Sequence, residues 1–133
     1  MNWGLLLKLS AFGFAMAIAT IELIPFEFEL ILWVFIFGFC AYAIVKQCTE
    51  SLFMHGFMLS MITCIYYTVF HFAFFETYAA SHTALMSQVN QFVPPGSNQK
   101  PLVIAFGVVF CVISGIIQGL FCHFMAKSQK TAA

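Results

Sequence analysis

Arginine and aspartate are absent from this 133-residue chain, and charged residues of any kind make up only 8% of it. Without arginine there is no bidentate clamp for phosphate or carboxylate, which argues against a site built on phosphoryl recognition. The five lysines form no basic patch, so nucleic acid is not an expected partner. Neither a Gly-x-Ser-x-Gly elbow nor an HExxH zinc helix is present, and hydrolytic chemistry has no support. Five cysteines (Cys40, Cys48, Cys64, Cys111 and Cys122) are an odd count without CxxC spacing. A disulfide framework or zinc ribbon is therefore not indicated, and the thiols read as small buried hydrophobes. The expectation is a protein with no catalytic residues, no cofactor and no metal.

What the chain has in abundance is hydrocarbon: 62% hydrophobic residues, 18 of them Phe. Soluble domains carry about 25% charged residues, and a chain this apolar could not cover itself with polar groups in water. About 20 apolar residues span a bilayer as a helix. The pattern predicts an all-α integral membrane four-helix bundle as a single domain. Its helices fall near 3–24, 28–45, 52–75 and 102–125, followed by a polar, frayed tail over 126–133.

Breakers and periodicity place the connections. Pro25 reverses the chain inside ELIPFEFE, where Glu22, Glu27 and Glu29 form an acidic collar at the membrane surface. The third segment continues without Pro or Gly to residue 92, becoming amphipathic through Leu85, Met86 and Val89. This continuation predicts an outer helical extension before the break at Pro94-Pro95-Gly96. Lys8, Lys46, Lys127 and Lys130 fall on one side of a four-pass arrangement and Lys100 on the other. By the positive-inside rule both termini are cytoplasmic. A cleaved signal ending near Ala17 or Ala19 is the competing reading of the first segment.

Two stripes of small residues predict helix packing. Ala11, Ala15 and Ala19 line the first segment, with Gly13 and Ala17 on a neighbouring line. Gly107, Cys111, Gly115 and Gly119 line the fourth, to mate either with the alanine face or with a second copy.

The candidate chemistry lies mainly in the third segment. Ser60, Cys64, Tyr67, His71, Tyr78 and His82 share one helical face, a polar stripe on a greasy helix. With Glu22 it could form a proton or substrate path; otherwise His71 is a neutral, hydrogen-bonded interfacial histidine. His71 and His82 stand eleven residues apart, roughly 16 Å along a helix, too far for one metal ion. His55 and His123, expected at one depth, are the alternative pair for haem, with Cys48 and Cys122 nearby for a softer metal.

The layout resembles a family of short bacterial four-helix inner-membrane proteins defined only as a domain of unknown function. Gly56, Tyr66-Tyr67, the loop end at 91–95 and Ser114-Gly115-Ile116-Ile117 before Lys127 carry the resemblance. The Pro-Pro-Gly turn and the sparsely charged outer loop depart from it. The resemblance implies location and topology alone. The leading functional expectation is a non-enzymatic scaffold or accessory subunit, its partners the bilayer and either another membrane protein or further copies of itself. A small oligomeric proton-coupled carrier or channel is the alternative, and a haem- or metal-binding redox subunit stands further off.

Overall fold

Each long apolar run folds as a helix, and the computed structural model describes residues 1–94 and 97–132. α1 spans Trp3–Glu22, α2 Phe26–Gln47, α3 Leu52–Ala73 and α6 Lys100–Ala132; α4 (Phe75–Ser81) and α5 (Thr83–Val89) lie between α3 and α6. No strand occurs among the described residues. Asn2 caps α1, its side chain accepting the Leu5 amide at 3.1 Å, which satisfies one of the helix's orphan donors. Pro25 leads into α2 in an extended conformation, with Glu27 and Glu29 in the first turn, where the helix dipole favours negative charge. Ser51 closes the short turn between α2 and α3 with a left-handed backbone, φ 51°.

The run from 52 to 92 is not one helix. It breaks at Phe74 (φ −108°, ψ 30°) and at His82 (φ −117°, ψ 47°), although neither Pro nor Gly occurs between positions 57 and 92. At the second break the His82 ring and its backbone N–H both lie 3.0 Å from the Tyr78 carbonyl. α6 begins two residues earlier than expected and runs on through the polar tail to Ala132 rather than fraying after Met125. That tail contains no helix breaker. Pro95 and Gly96, the centre of the expected break, lie outside the described residues, as do Ala133 and the side chain of Lys130.

α3 is the hub. It packs most extensively on α6 and next on α1, while α2 rests mainly on α6 and α4 folds back against α1. Leu5, Leu6 and Leu9 of α1 meet Cys40, Ala41 and Ile44 of α2, Leu59 of α3 and Cys122 of α6 in one apolar cluster. That cluster gathers the N-terminal halves of α1 and α3 with the C-terminal halves of α2 and α6. The four long helices therefore alternate in direction, and the two chain ends lie at the same end of the molecule. Lys8, Lys46 and Lys127 belong to that end. Lys100 belongs to the other, where it pairs with Glu76 of α4 at 3.3 Å.

Polar and apolar groups partition in reverse of what water selects. Thr20, Glu29, His55, His71, Ser114 and Gln118 are buried, whereas Leu30, Phe35, Phe106 and Phe124 are among many large hydrophobics left exposed. Four helices (Trp3–Glu22, Glu27–Gln47, Leu52–Ala73 and Lys100–Gln129) are long and apolar enough to cross a membrane. An apolar exterior of this extent is unusual for a soluble monomer. The chain has the make-up of a multi-pass membrane protein.

Candidate functional site

Glu29 enters the site from the first turn of α2. It is 6% exposed, and its Oε1 accepts two hydrogen bonds. The Tyr67 hydroxyl of α3 donates at 2.8 Å, and Trp33 Nε1–H, one turn along α2, donates at 3.2 Å. A hydrogen bond to a charged group contributes about 1.5–3 kcal/mol, and an unmet buried acceptor costs a similar amount. Oε2 is in that unmet position: among the described residues, Glu29 Oε2 and Gln118 Oε1 are the buried side-chain atoms without a hydrogen-bond partner.

A cavity of about 440 Å³ opens beside this carboxylate. Tyr67 and His71 of α3, Tyr78 of α4, and Phe106 and Phe110 of α6 contribute aromatic wall, while Met86 of α5 is among the aliphatic groups that complete it. Among the described residues Glu29 is the one charged side chain in this wall. The volume falls within the range of small-molecule sites, which are typically apolar with a few placed polar groups.

An aromatic column runs along the cavity. The Tyr67 and His71 rings stack at 3.9 Å, His71 meets the edge of Tyr78 at 4.5 Å, and Tyr78 stacks on His82 at 4.3 Å. His71 Nδ1 lies 2.9 Å from the Tyr67 carbonyl, and its Nε2 faces the Thr20 hydroxyl at 3.4 Å. His82 has carbonyls on both sides, Tyr78 at 3.0 Å from Nδ1 and Ile24 at 3.3 Å from Nε2. Carbonyls only accept, so both bonds form together when both ring nitrogens carry hydrogen. Burial, reinforced by the nearby Glu29 carboxylate, pushes the Tyr78 phenol up to about 12.

Deeper in the molecule the stripe continues as a hydroxyl and thiol cluster. Ser60 donates to Ser114 at 3.1 Å, and Cys64 Sγ lies 3.2 Å from the same oxygen. Gln118 donates to the Phe37 carbonyl at 3.2 Å. The six stripe residues expected from α3 spacing thus do face inward, as a line of polar groups along the hub helix and its extension.

Other candidates are placed differently. Glu22 and Glu27 are exposed while Glu29 is buried, so the three carboxylates do not share one environment; Glu22 is exposed on α1 between Thr20 and Ile24, which meet His71 and His82. Sequence reasoning placed Glu29 only in the surface collar and did not single out Thr20. The one available signal for Glu29 was its spacing of four from Trp33, which brings the two side chains together on a helix. His55 is buried, accepting the Asn2 backbone N–H at 2.9 Å on Nε2 with Nδ1 3.0 Å from the Ser51 carbonyl. His123 is exposed, its ring against Phe124. Both nitrogens of His55 are thus engaged within the chain. Among the described residues no group of three or more His, Cys, Asp or Glu could hold a metal ion.

The small-residue stripes also resolve into specific contacts. A Cβ on Gly115 would meet Phe57 at 2.9 Å and one on Gly119 would meet Phe53 at 2.6 Å, while Gly107 lies under Thr68. All three partners belong to α3, so the glycine face of α6, with Cys111 buried between, is filled by α3 rather than by the alanines of α1. Ala11 and Ala15 are exposed and Ala19 is half-buried. The packing face of α1 is the adjacent line of Gly13, Ala17 and Thr20, with Gly13 under Thr63. Thr63 needs the room that only a glycine leaves.

No family model, curated protein or solved structure matches the chain.

Proposed function

We propose that the chain is a four-pass membrane bundle, with both termini cytoplasmic in a bacterial inner membrane and α4–α5 as an outer elbow. We propose further that it acts as a small proton-linked carrier. The resemblance to four-helix inner-membrane proteins and the gathering of lysines at one end support the location. One observation supports the activity: a buried carboxylate with an unpartnered oxygen stands on the wall of a cavity large enough for a small molecule. An ionisable group inside a membrane span is costly and is retained where it faces a partner, a substrate or a proton. In this reading Glu29 alternates between holding a proton and holding cargo, while the Tyr67–His71–Tyr78–His82 column lines the route towards the outer end.

The scaffold reading has weaker support. The exposed apolar faces that would recruit a partner helix are covered equally well by lipid, and the glycine stripe of α6 is already occupied by α3.

The test is reaction with dicyclohexylcarbodiimide, which modifies protonated carboxyls in apolar surroundings. The carrier reading expects labelling at Glu29, and none at that position in Glu29→Gln. It also expects solute-dependent proton movement in pyranine-loaded proteoliposomes, above that of protein-free vesicles, which the same variant abolishes. Absence of both would end the reading.

A further inference from the structure

We infer that the cavity beside Glu29 takes a small apolar molecule carrying one protonated amine, towards which the Glu29 carboxylate turns its buried, unpartnered Oε2 to accept the N–H. This inference rests on the carrier reading and names the class of its cargo.

Charge comes first. Among the described residues Glu29 is the one charged side chain in the cavity wall, and no lysine lines it. An anionic ligand would bring a second negative charge into an apolar space with no counter-ion, which is strongly unfavourable. A cationic ligand supplies the counter-ion that the buried carboxylate lacks.

Hydrogen-bond stoichiometry narrows the class. Oε1 is served by Tyr67 and Trp33, and Oε2 by nothing. A carboxylate oxygen in this position requires a donor, and a donor that is itself charged makes the stronger bond. A protonated amine meets both demands. A quaternary ammonium meets the charge and leaves Oε2 unpaired, while an alcohol meets the hydrogen bond and leaves the charge uncompensated.

The remaining wall describes the rest of the molecule. Tyr67, Tyr78, Phe106 and Phe110 give the wall aromatic rings, which attract a cation more strongly when both are desolvated. Leu102 and Met86 supply apolar wall for a hydrocarbon body, methionine with the flexibility to fit irregular shapes. A volume of about 440 Å³ accommodates a short aryl-alkyl chain.

The experiment uses three matched probes: 4-phenylbutylamine, 4-phenylbutanol and trimethyl(4-phenylbutyl)ammonium. Each is measured by equilibrium dialysis against the detergent-solubilised full chain and against Glu29→Gln in the same detergent, so that partition into micelles cancels. Gln is isosteric with Glu and keeps an acceptor for Tyr67 and Trp33. A second variant, Val103→Trp, fills the cavity without altering Glu29; both variants are first shown to be monodisperse. The expected result is about tenfold or tighter binding of the amine by the unmodified chain than by Glu29→Gln. The amine should also bind more tightly than the alcohol and the quaternary ion, and Val103→Trp should lose it. Equal binding of the alcohol, equal binding by Glu29→Gln, or full retention by Val103→Trp overturns the inference. If no probe binds while carbodiimide still labels Glu29 and proton movement persists, the amine assignment fails and the carrier reading stands. If labelling and proton movement are absent as well, both fail.

Discussion

The Tyr67 hydroxyl of α3 reaches the Glu29 carboxylate of α2 at 2.8 Å, across 38 positions of chain. That bond joins the hub helix to the one that packs least on it among the other three long helices. It also leaves the other carboxylate oxygen without a partner.

Removing the tyrosine hydroxyl tests how much of the local stability this bond supplies. Tyr67→Phe keeps the ring stacked on His71 and deletes one of the two donors to Oε1. The expected loss is about 1.5–3 kcal/mol, read as a lower midpoint of thermal unfolding in a fixed detergent. In a Glu29→Gln background the same substitution should be milder, because a neutral amide demands less of its donors. Additive losses in the double variant would show the two side chains to be energetically independent.

The space beside two glycines, Gly56 at the α3–α6 contact and Gly38 on α2, predicts opposite outcomes. A Cβ at Gly56 would stand 2.7 Å from the Gln118 carbonyl oxygen and 2.8 Å from Cys122 Sγ. Backbone cannot swing aside as a side chain does, so Gly56→Ala should destabilise by about 1–3 kcal/mol. At Gly38 nothing lies within 4 Å, and Gly38→Ala should stabilise by roughly 0.5–1 kcal/mol through helix propensity. Circular dichroism melts of the two variants, side by side, check the sign of each.

His55 and His123 should separate sharply. His55→Ala removes the ring that accepts the Asn2 amide, freeing the start of α1 and leaving a buried gap. A loss of about 2 kcal/mol is expected, with faster hydrogen exchange over the first turn of α1. His123→Ala, at an exposed position, should stay within about 0.5 kcal/mol of the unmodified chain. Similar losses at both positions would contradict this placement.

Alkaline stability should report on Tyr78. Its phenol is raised from 10.0 to about 12 by burial first and by the Glu29 carboxylate second. The unfolded chain therefore releases this proton before the folded one does. The stabilisation is complete below pH 10.0 and is lost as pH climbs through about 12. Tyr78→Phe keeps the ring contacts and cannot ionise, so its midpoint should fall less steeply across that window. Parallel curves would remove Tyr78 from the titration.

Topology can be read in whole cells. Because α1, α2, α3 and α6 alternate in direction, cysteine-reactive or epitope labels at the two chain ends should report the same side, and a label in the 90–94 segment the opposite side. The proposed orientation, argued from lysine placement, puts that shared side in the cytoplasm. Ends that respond differently to an impermeant reagent would refute the four-pass arrangement.

Much of this was written into the order of residues. Four apolar runs of bilayer length yield four long helices, since length and hydrocarbon content suffice to predict a span. The inward line of Ser60, Cys64, Tyr67 and His71 follows from helical spacing alone, which places such residues on one face whatever surrounds them. What spacing cannot supply is the neighbour. The glycines of α6 face α3 rather than α1, and α1 packs through Gly13 and Ala17 rather than Ala11 and Ala15, because each choice depended on the bulk opposite, in Phe53, Phe57 and Thr63. Glu29 differs from Glu22 and Glu27 in nothing that composition reveals. It is buried because the rotation of α2 against α3 brings it beneath the Tyr67 hydroxyl, and that rotation is set by packing between helices remote in sequence.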